Sequence, residues 1–144
     1  MSVSMENYQW AALVPEFLVS DIRKSLDFWC NVLGFRVVFD RMENNFAYLD
    51  YGSAQIMLDQ RSGNWEIGAM EQPFGRGINC QIETNELDAI KARLLAKDWP
   101  IYEEREKWYQ TGDEKSFCRE ILVQDPDGYL IRFIMVEITQ QESL

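Results

Sequence analysis

The sequence predicts an α+β fold built from two β-α-β-β-β modules, and two patterns carry that prediction. Each half of the chain opens with a strand-like apolar run, continues with an amphipathic helical pattern and ends in further strand-like runs. A stretch rich in glycine, without periodicity, separates the halves. We therefore predict one domain over residues 1–144, with one module at about residues 8–60, a linker at about 61–75 and a second module at about 76–139.

The first module begins with an apolar run at residues 11–19 that contains Pro15. Proline cannot donate a hydrogen bond to a sheet ladder, so this strand is expected at a sheet edge or bent there. Ser20 and Asp21 are candidate N-caps for the following helix. Gly34 is placed to end that helix in the left-handed conformation. The apolar positions of the helix recur at helical spacing: Ile22, Leu26, Trp29, Val32 and Leu33.

Three strand-like runs complete the first module, at residues 35–40, 46–51 and 54–59. Residues 60–76 then hold scattered glycines, one proline and no periodicity, which is typical of a long loop. Loops of this length in compact domains are often functional, and this one contains the aromatic residue Trp65.

The second module repeats this order of elements. Residues 78–83 alternate apolar and polar side chains, which predicts a half-buried strand. The polar positions share one face: Asn79, Gln81 and Glu83. Asn85 is the expected helix cap, and Asp88 forms a loose version of a capping box with it. The predicted inner face of this helix consists of Leu87, Ile90 and Leu94.

Strands are predicted near residues 101–105, at 116–124 and at 129–138, so Trp108 and Tyr109 fall in a loop-like segment. A turn precedes the last strand, because its proline presets φ and its glycine accepts a positive φ. It consists of Asp125, Pro126, Asp127 and Gly128. The acidic pairs of this half are interpreted as solvated faces or turns: Glu103 with Glu104, and Asp113 with Glu114.

Composition limits the partners and the chemistry. The net charge of −10 disfavours nucleic acid and anionic membranes and favours a cationic ligand. No apolar run is long enough to span a membrane, and no secretory signal pattern is present, so we predict a cytoplasmic protein. The three cysteines are Cys30, Cys80 and Cys118, expected to be reduced and buried. The chain has no histidine, which excludes a cysteine–histidine nucleophile.

At this point the sequence resembles the vicinal-oxygen-chelate superfamily, which includes glyoxalases, extradiol dioxygenases and the bleomycin- and fosfomycin-resistance proteins. The matching segments are residues 14–21, continuing through 25–29 to 33–35, and residues 117–120, continuing through 125–129. The resemblance implies a cup-shaped mixed sheet around one cavity, commonly in a homodimer.

Within the superfamily the chain looks most like the bleomycin-resistance proteins. The shared features are Pro15, the aromatic pair Phe28 and Trp29, and the run Phe117-x-Arg119-Glu120. In that family the proline lets the N-terminal strand cross to the other subunit, so the resemblance implies that exchange of this strand at Pro15 is plausible.

Enzymes of the superfamily hold a divalent metal with two histidines and two carboxylates. Alignment on the motifs places Val14, Met57, Asn79 and Arg132 at those four positions. An apolar residue, a thioether, an amide and a cation make a poor site for such an ion. The sequence therefore predicts no metal, no cofactor and no catalytic residues.

The predicted ligand-binding residues are polar side chains on the cavity floor and aromatic side chains around it. The polar ones are Asn79, Gln81 and Arg132, and the aromatic ones are Phe39, Trp65, Trp108, Tyr109 and Phe117. Phe39 and Phe117 match ring-stacking positions of the drug-binding family, with core or dimer packing as the alternative. Arg132 is expected either to clamp a polar ligand group or to pair internally with a carboxylate such as Glu83 or Glu16.

The sequence thus predicts a metal-free protein that sequesters a small amphipathic aromatic molecule, with a cationic, bleomycin-like antibiotic as the leading class. Two alternatives stay open. One is a lyase or dioxygenase of this superfamily with a relocated metal. The other is a non-catalytic interaction domain with a filled core.

Overall fold

The structure, a computed structural model, describes residues 5–141 of the chain. These residues form two compact units, the first ending at Phe74 and the second beginning at Gly75. Each unit contains one four-stranded mixed sheet with a helix packed against it. The predicted α+β class, built from two β-α-β-β-β modules, is confirmed. Within residues 5–141 every helix is too short or too polar to cross a membrane.

The N-terminal sheet has the strand order β1-β4-β3-β2, with β1 parallel to β4 and the other neighbours antiparallel. Its strands are β1 (Glu16–Val19), β2 (Arg36–Arg41), β3 (Phe46–Tyr51) and β4 (Ala54–Gln60). The predicted edge position of the first strand is confirmed, but its predicted start at residue 11 is wrong. The strand begins only after Pro15, whose carbonyl accepts a hydrogen bond from the Met57 amide at 2.8 Å.

The first helix consists of an α-helical part, α1 (Ile22–Leu26), and a π-helical continuation, Asp27–Val32. The Asp21 carboxylate caps it, accepting hydrogen bonds from the backbone amides of Arg23 and Lys24. Gly34 follows the helix with φ of 93°, as its predicted role as a terminator requires. Trp29 is fully buried and packs edge-on against Phe35, so its predicted place in the core is confirmed.

A short 3₁₀ turn, Met42–Asn44, connects β2 to β3. After β4, residues 61–74 form neither helix nor strand. Side chains hold this loop in place, because Arg61 pairs with Glu66 at 2.7 Å and lies over the ring of buried Phe74 at 5.6 Å.

The C-terminal sheet has the order β5-β8-β7-β6, with β5 parallel to β8. Its strands are β5 (Asn79–Glu83), β6 (Ile101–Thr111), β7 (Glu114–Gln124) and β8 (Leu130–Gln141). The prediction of a loop between residues 105 and 116 is wrong, since β6 and β7 continue as a long hairpin that turns at Gly112. The hairpin end is exposed on both faces, so it lacks the apolar alternation by which a strand is detected.

Helix α2 (Leu87–Ala96) buries the three apolar residues predicted to face the core. The predicted cap at Asn85 is wrong: Glu86 occupies the cap position, and its amide donates to the Thr84 hydroxyl at 2.9 Å. Asp88 forms no capping box and instead pairs with Arg119 of β7. The turn before β8 is as predicted, with Gly128 at φ of 98°.

Candidate functional site

Each sheet has one face against the helix of its own unit. The opposite face, which we call the far face, carries most of the residues singled out from the sequence. In the N-terminal unit Met57 lies beside Glu16 of the parallel edge strand. In the C-terminal unit Arg132 lies beside Gln81 in the same relation. Since both sheets have the same strand order, these two pairs occupy corresponding positions.

The antiparallel edge strands confirm this correspondence. A register irregularity falls between Val37 and Phe39 in β2, and another falls between Ile101 and Glu103 in β6. The two sheets therefore share a bulge at the same place. The corresponding far-face residues are Phe39 and Glu103, Arg41 and Arg105, Phe46 and Glu120, and Tyr48 and Leu122.

The far face of the C-terminal sheet is organised around the buried carboxylate of Glu120, which is 1% exposed. Its Oε1 accepts a hydrogen bond from Arg132 Nη1 at 2.9 Å, and its Oε2 accepts one from the Tyr109 hydroxyl at 2.9 Å. Arg105 Nε lies 3.6 Å from Oε2. A buried carboxylate needs such partners, because an unpaired buried charge is strongly destabilising.

The internal ion pair considered for Arg132 is therefore present, but its partner is Glu120 rather than Glu83 or Glu16. Glu120 ends the run Phe117-x-Arg119-Glu120. It lies two residues before Leu122, which pairs with Arg132 across the β7–β8 ladder. Alternation places both side chains on one face, but only the strand register shows that they meet. Burial raises the pKa of Tyr109, and its hydrogen bond to Glu120 raises that pKa further.

The hydrogen bond to Glu120 does not satisfy the whole Arg132 guanidinium. Its Nε is buried and, among the described residues, has no hydrogen-bond partner. The neighbouring edge strand β5 presents the exposed side chains of Asn79 and Gln81 on the same face. The predicted polar residues of the cavity floor thus lie together on one face of the C-terminal sheet.

The far face of the N-terminal sheet is aromatic. Phe39 stacks on Tyr48 with ring centroids 5.1 Å apart and an interplanar angle of 18°. Trp10 meets both rings edge-on, at 5.8 Å from Phe39 and 5.2 Å from Tyr48. The Arg41 guanidinium lies 5.2 Å from the Phe39 centroid. Phe39 is therefore half-buried in a cluster of side chains of its own unit.

The segment of residues 8–11, which we call the strap, lies across this aromatic face. The Tyr8 hydroxyl donates to Asp50 at 2.7 Å. The Gln55 side chain accepts from the Ala11 amide at 2.9 Å and donates to the Gln9 carbonyl at 2.8 Å. Asp50 and Gln55 are buried, and the strap adds to the hydrogen bonds that Arg36 donates to Asp50 and Tyr48 donates to Gln55. Burial and the hydrogen bond to Asp50 raise the pKa of Tyr8.

Trp65 lies in the loop after β4, as predicted, with φ of 64° and 71% of its surface exposed. Its side chain lies close to the Glu16 carboxyl group of the far face. Loss of hydration raises the pKa of Glu16, the neighbouring Asp59 carboxylate raises it further, and Trp65 lowers it in part. Trp65 therefore borders the edge of the N-terminal far face at β1.

The remaining predicted aromatic residues lie on strands of the long hairpin, and the prediction of a loop for Trp108 and Tyr109 is wrong. Trp108 packs edge-on against Phe117 at 5.4 Å and is 48% exposed. A groove of about 440 Å³ adjoins it at the hairpin end. The groove is lined by Trp108, Tyr109, Gln110, Lys115 and Gln140. Tyr109 itself donates to Glu120 on the far face.

The four positions that the family resemblance aligns with metal ligands carry side chains that do not fit a metal. Val14 and Met57 lie in the N-terminal unit, where Met57 is flanked by Glu16 and Tyr48. Arg132 places a positive charge at the fourth position, and its carboxylate partner already accepts hydrogen bonds on both oxygens. No group of three or more histidine, cysteine, aspartate or glutamate side chains suited to a metal occurs within residues 5–141.

The cysteines offer no substitute nucleophile. Cys118 is buried, and Cys30 and Cys80 are half-buried, all with free thiols. Burial raises the pKa of Cys30 to about 11 and also raises the pKa of the other two thiols. A thiol with a raised pKa is a poor nucleophile at neutral pH, because the thiolate is the reactive form.

Comparison with known proteins shows which sequences and structures this chain is similar to. The chain is 30% identical over 131 residues to the bleomycin resistance protein of Geobacillus stearothermophilus, covering 83% of this chain and 92% of that protein. Among solved structures, TioX from Micromonospora sp. ML1 superposes with a TM-score of 0.63 at 18% identity, covering 87% of this chain and 98% of TioX.

The fosfomycin resistance protein FosX from Listeria monocytogenes superposes with a TM-score of 0.56 at 15% identity, covering 88% of this chain and 91% of FosX. These two structural likenesses support the fold. The model of the glyoxalase/bleomycin resistance protein/dioxygenase superfamily matches residues 12–133. With most of the described chain covered by this match, the chain belongs to the glyoxalase/bleomycin resistance protein/dioxygenase superfamily.

Proposed function

We propose that this protein binds a small amphipathic aromatic molecule and holds it without chemical change, with bleomycin-type antibiotics as the first class to test. The proposal is supported by the 30% identity to a bleomycin resistance protein over most of both chains. The observation that carries it is the ion pair between Arg132 and Glu120 at a position where related enzymes need a metal-binding carboxylate.

That ion pair opposes a metal in two ways. The guanidinium repels a dication at short range, since two charges of the same sign in a partly buried site interact strongly. The oxygens of Glu120, the nearest carboxylate, are engaged by Arg132, Tyr109 and Arg105. A metal would have to replace these partners and leave Arg132 without its carboxylate partner. Without a metal, the Lewis-acid step of the superfamily's enzymes has no electrophile.

Exposed aromatic rings supply a means of binding. Trp10, Trp65 and Trp108 are 49%, 71% and 48% exposed, and each lies beside residues of a far face or hairpin end. A stacked ring contributes about 0.5–1.5 kcal/mol beyond the area it buries. The net charge of −10 raises the local concentration of cationic molecules. Both features suit a cationic, ring-containing drug.

The proposed contact residues are those predicted from the sequence, with their roles refined by the geometry. Asn79, Gln81 and Arg132 supply hydrogen bonds, whereas Tyr109 acts through its bond to Glu120. Ring contacts come from Phe39, Trp65, Trp108 and Phe117. We further propose that the protein acts as a homodimer, in which exchange of the N-terminal strand at Pro15 would move the strap onto the partner's aromatic face.

Titration with metal-free bleomycin, followed by tryptophan fluorescence, tests the proposal. We expect saturable quenching, and we expect Trp108→Leu to weaken the apparent affinity by about three- to tenfold. Trp99→Leu serves as a matched control, since its indole donates to the Gln124 carbonyl within the C-terminal unit. Absence of any change in fluorescence and in thermal stability at saturating drug would refute a bleomycin-binding function.

The rival hypothesis of an enzyme with a relocated metal has one feature in its favour, the neighbouring carboxyl groups of Glu16 and Asp59. Metal analysis of protein purified without chelator distinguishes the two. Stoichiometric iron, manganese, nickel or zinc that is lost in Glu16→Gln would support the enzyme. The third reading, an interaction domain with a filled core, predicts that no aromatic ligand protects Trp65 or Trp108 from quenching by acrylamide.

A further inference from the structure

The guanidinium of Arg132 is held by one edge and leaves another edge without a partner. Of the Arg132 nitrogens, Nη1 donates to Glu120 Oε1, at 2.9 Å. Nε, on the side edge of the group, is buried with no hydrogen-bond partner among the described residues. A buried donor without an acceptor is destabilising, so an orphaned donor in a folded protein calls for an acceptor from outside the chain.

The fixed orientation of Arg132 makes this edge a defined site. The partner carboxylate is 1% exposed and is itself held by Tyr109 and Arg105, so it cannot follow a rotating guanidinium. The side edge of a guanidinium, formed by Nε and Nη2, matches two acceptor oxygens of a carboxylate. A lysine at this position would offer a point charge without that geometry.

Side-chain amides border the same face. Gln81 is the direct neighbour of Arg132 across the β5–β8 ladder, and Asn79 lies two residues earlier on β5. Both side chains are exposed. A guanidinium with two exposed amides beside it forms a donor-rich surface on the far face of the C-terminal sheet.

We infer that Arg132, positioned by Glu120, binds a carboxylate or carboxamide oxygen of an aromatic ligand through its free side edge, with Gln81 as a second contact. The inference rests on the proposed function, since it takes a small molecule as the occupant. It assigns the polar group of that molecule: an oxygen acceptor here, whatever cationic groups it carries elsewhere.

Three probes with one phenyl ring and different polar groups test this assignment: benzoate, benzamide and benzylamine. Nitrogen–proton correlation spectra of the arginine Nε–Hε groups report on the site directly. We expect benzoate and benzamide to shift the Arg132 signal saturably, and benzylamine to leave it in place. The signal is identified by its loss in Arg132→Lys.

Two variants and one control sharpen the result. Arg132→Lys keeps the charge beside Glu120 and should weaken benzoate binding by about tenfold. Arg119→Lys alters an arginine on the helix face, paired with Asp88 at 2.9 Å, and should leave binding unchanged. Gln81→Ala changes an exposed side chain, cannot unfold the sheet by cavity formation, and should weaken benzoate binding by about two- to fivefold.

An Arg132 signal that no acceptor probe moves, or that benzylamine moves equally, would overturn the inference. So would equal binding of benzoate by wild type and Gln81→Ala together with an unmoved signal. Failure of the proposed function looks different: bleomycin then leaves the protein unchanged while benzoate still shifts Arg132. Conversely, bleomycin binding with an unmoved Arg132 signal refutes this inference and leaves the proposed function standing.

Discussion

The far faces of the two sheets share one backbone pattern and carry opposite chemistry. Strand order, register and even the edge-strand bulge correspond, yet one face is a cluster of rings and the other a network of charges. Phe46 corresponds to Glu120, and Met57 corresponds to Arg132. The shared register determines where side chains meet, while the residue types at those positions determine what the face can bind.

Arg41 and Arg105, which occupy corresponding positions on β2 and β6, also have different partners. Arg41 lies over an aromatic ring at 5.2 Å, whereas Arg105 approaches the buried carboxylate to 3.6 Å. On the ring face, the strap of residues 8–11 provides both cover and hydrogen bonds. On the far face of the C-terminal sheet, Glu120 pairs with Arg132, and the buried Arg132 Nε has no partner among the described residues. Binding of polar groups is thus expected at the second face.

The largest effect on stability should come from removing the ion pair between Arg132 and Glu120 on the far face of the C-terminal sheet. Arg132→Met leaves the buried Glu120 carboxylate with weaker partners, and we expect a loss of about 3 kcal/mol in the free energy of unfolding, measured by urea denaturation. Arg119→Met, which breaks a more exposed ion pair on the same sheet, should cost no more than about 1 kcal/mol. Equal losses in the two variants would contradict the distinction.

A smaller effect should follow from removing the ring that the strap places on the aromatic face. Trp10→Ala loses edge-on contacts to the rings of Tyr8, Phe39 and Tyr48, and we expect a loss of about 2 kcal/mol, given that half of the side chain is exposed. Leu13→Ala is the control in the neighbouring segment: that side chain is 82% exposed, so the change should stay within about 0.5 kcal/mol. Full stability in Trp10→Ala would show that the strap is not held on this face.

The phenols of Tyr8 and Tyr109 allow the two faces to be compared by pH. Burial raises both pKa values above the ordinary value of 10.0. The folded protein therefore retains protons that the unfolded chain releases above pH 10, so stability falls as pH rises past 10. We expect a shallower fall of the urea midpoint in Tyr8→Phe and in Tyr109→Phe. An unchanged slope in both variants would rule out this linkage.

The smallest effect concerns Cys118, which lies on the ionic far face. Burial raises the pKa of its thiol, and the Glu120 and Glu83 carboxylates raise it further. In a protein with Cys30→Ser and Cys80→Ser, we expect Cys118 to react with a thiol reagent at pH 8 at least about tenfold more slowly than in urea. Reaction at the unfolded rate would mean that this part of the face opens readily.

Much of the fold was predictable because burial leaves a pattern. The alternation in β5 and the helical spacing of Leu87, Ile90 and Leu94 both reflect one face turned to the core. The long hairpin was missed because both of its faces are exposed near the turn. The helix cap at Glu86 was missed because its side chain makes no capping hydrogen bond, and the Glu86 amide instead donates to the Thr84 hydroxyl.

The sequence predicted individual residues of the site, but it did not predict which of them contact one another. The polar positions of β5 followed from alternation, and Arg132 followed from its distance to the last turn. Its pairing with Glu120 depends on which residues two strands bring together, and the register is not written in either strand alone. The strap was missed for a related reason: its bonds to Asp50 and Gln55 join residues more than forty positions apart.

Calorimetric titration with bleomycin after exhaustive chelation tests the central claim most directly, with mass spectrometry of the recovered drug. We predict saturable binding of unaltered drug in the presence of excess chelator, and loss of about tenfold in affinity in Arg132→Lys. Binding that requires an added divalent metal, or recovery of a chemically modified drug, would contradict the account.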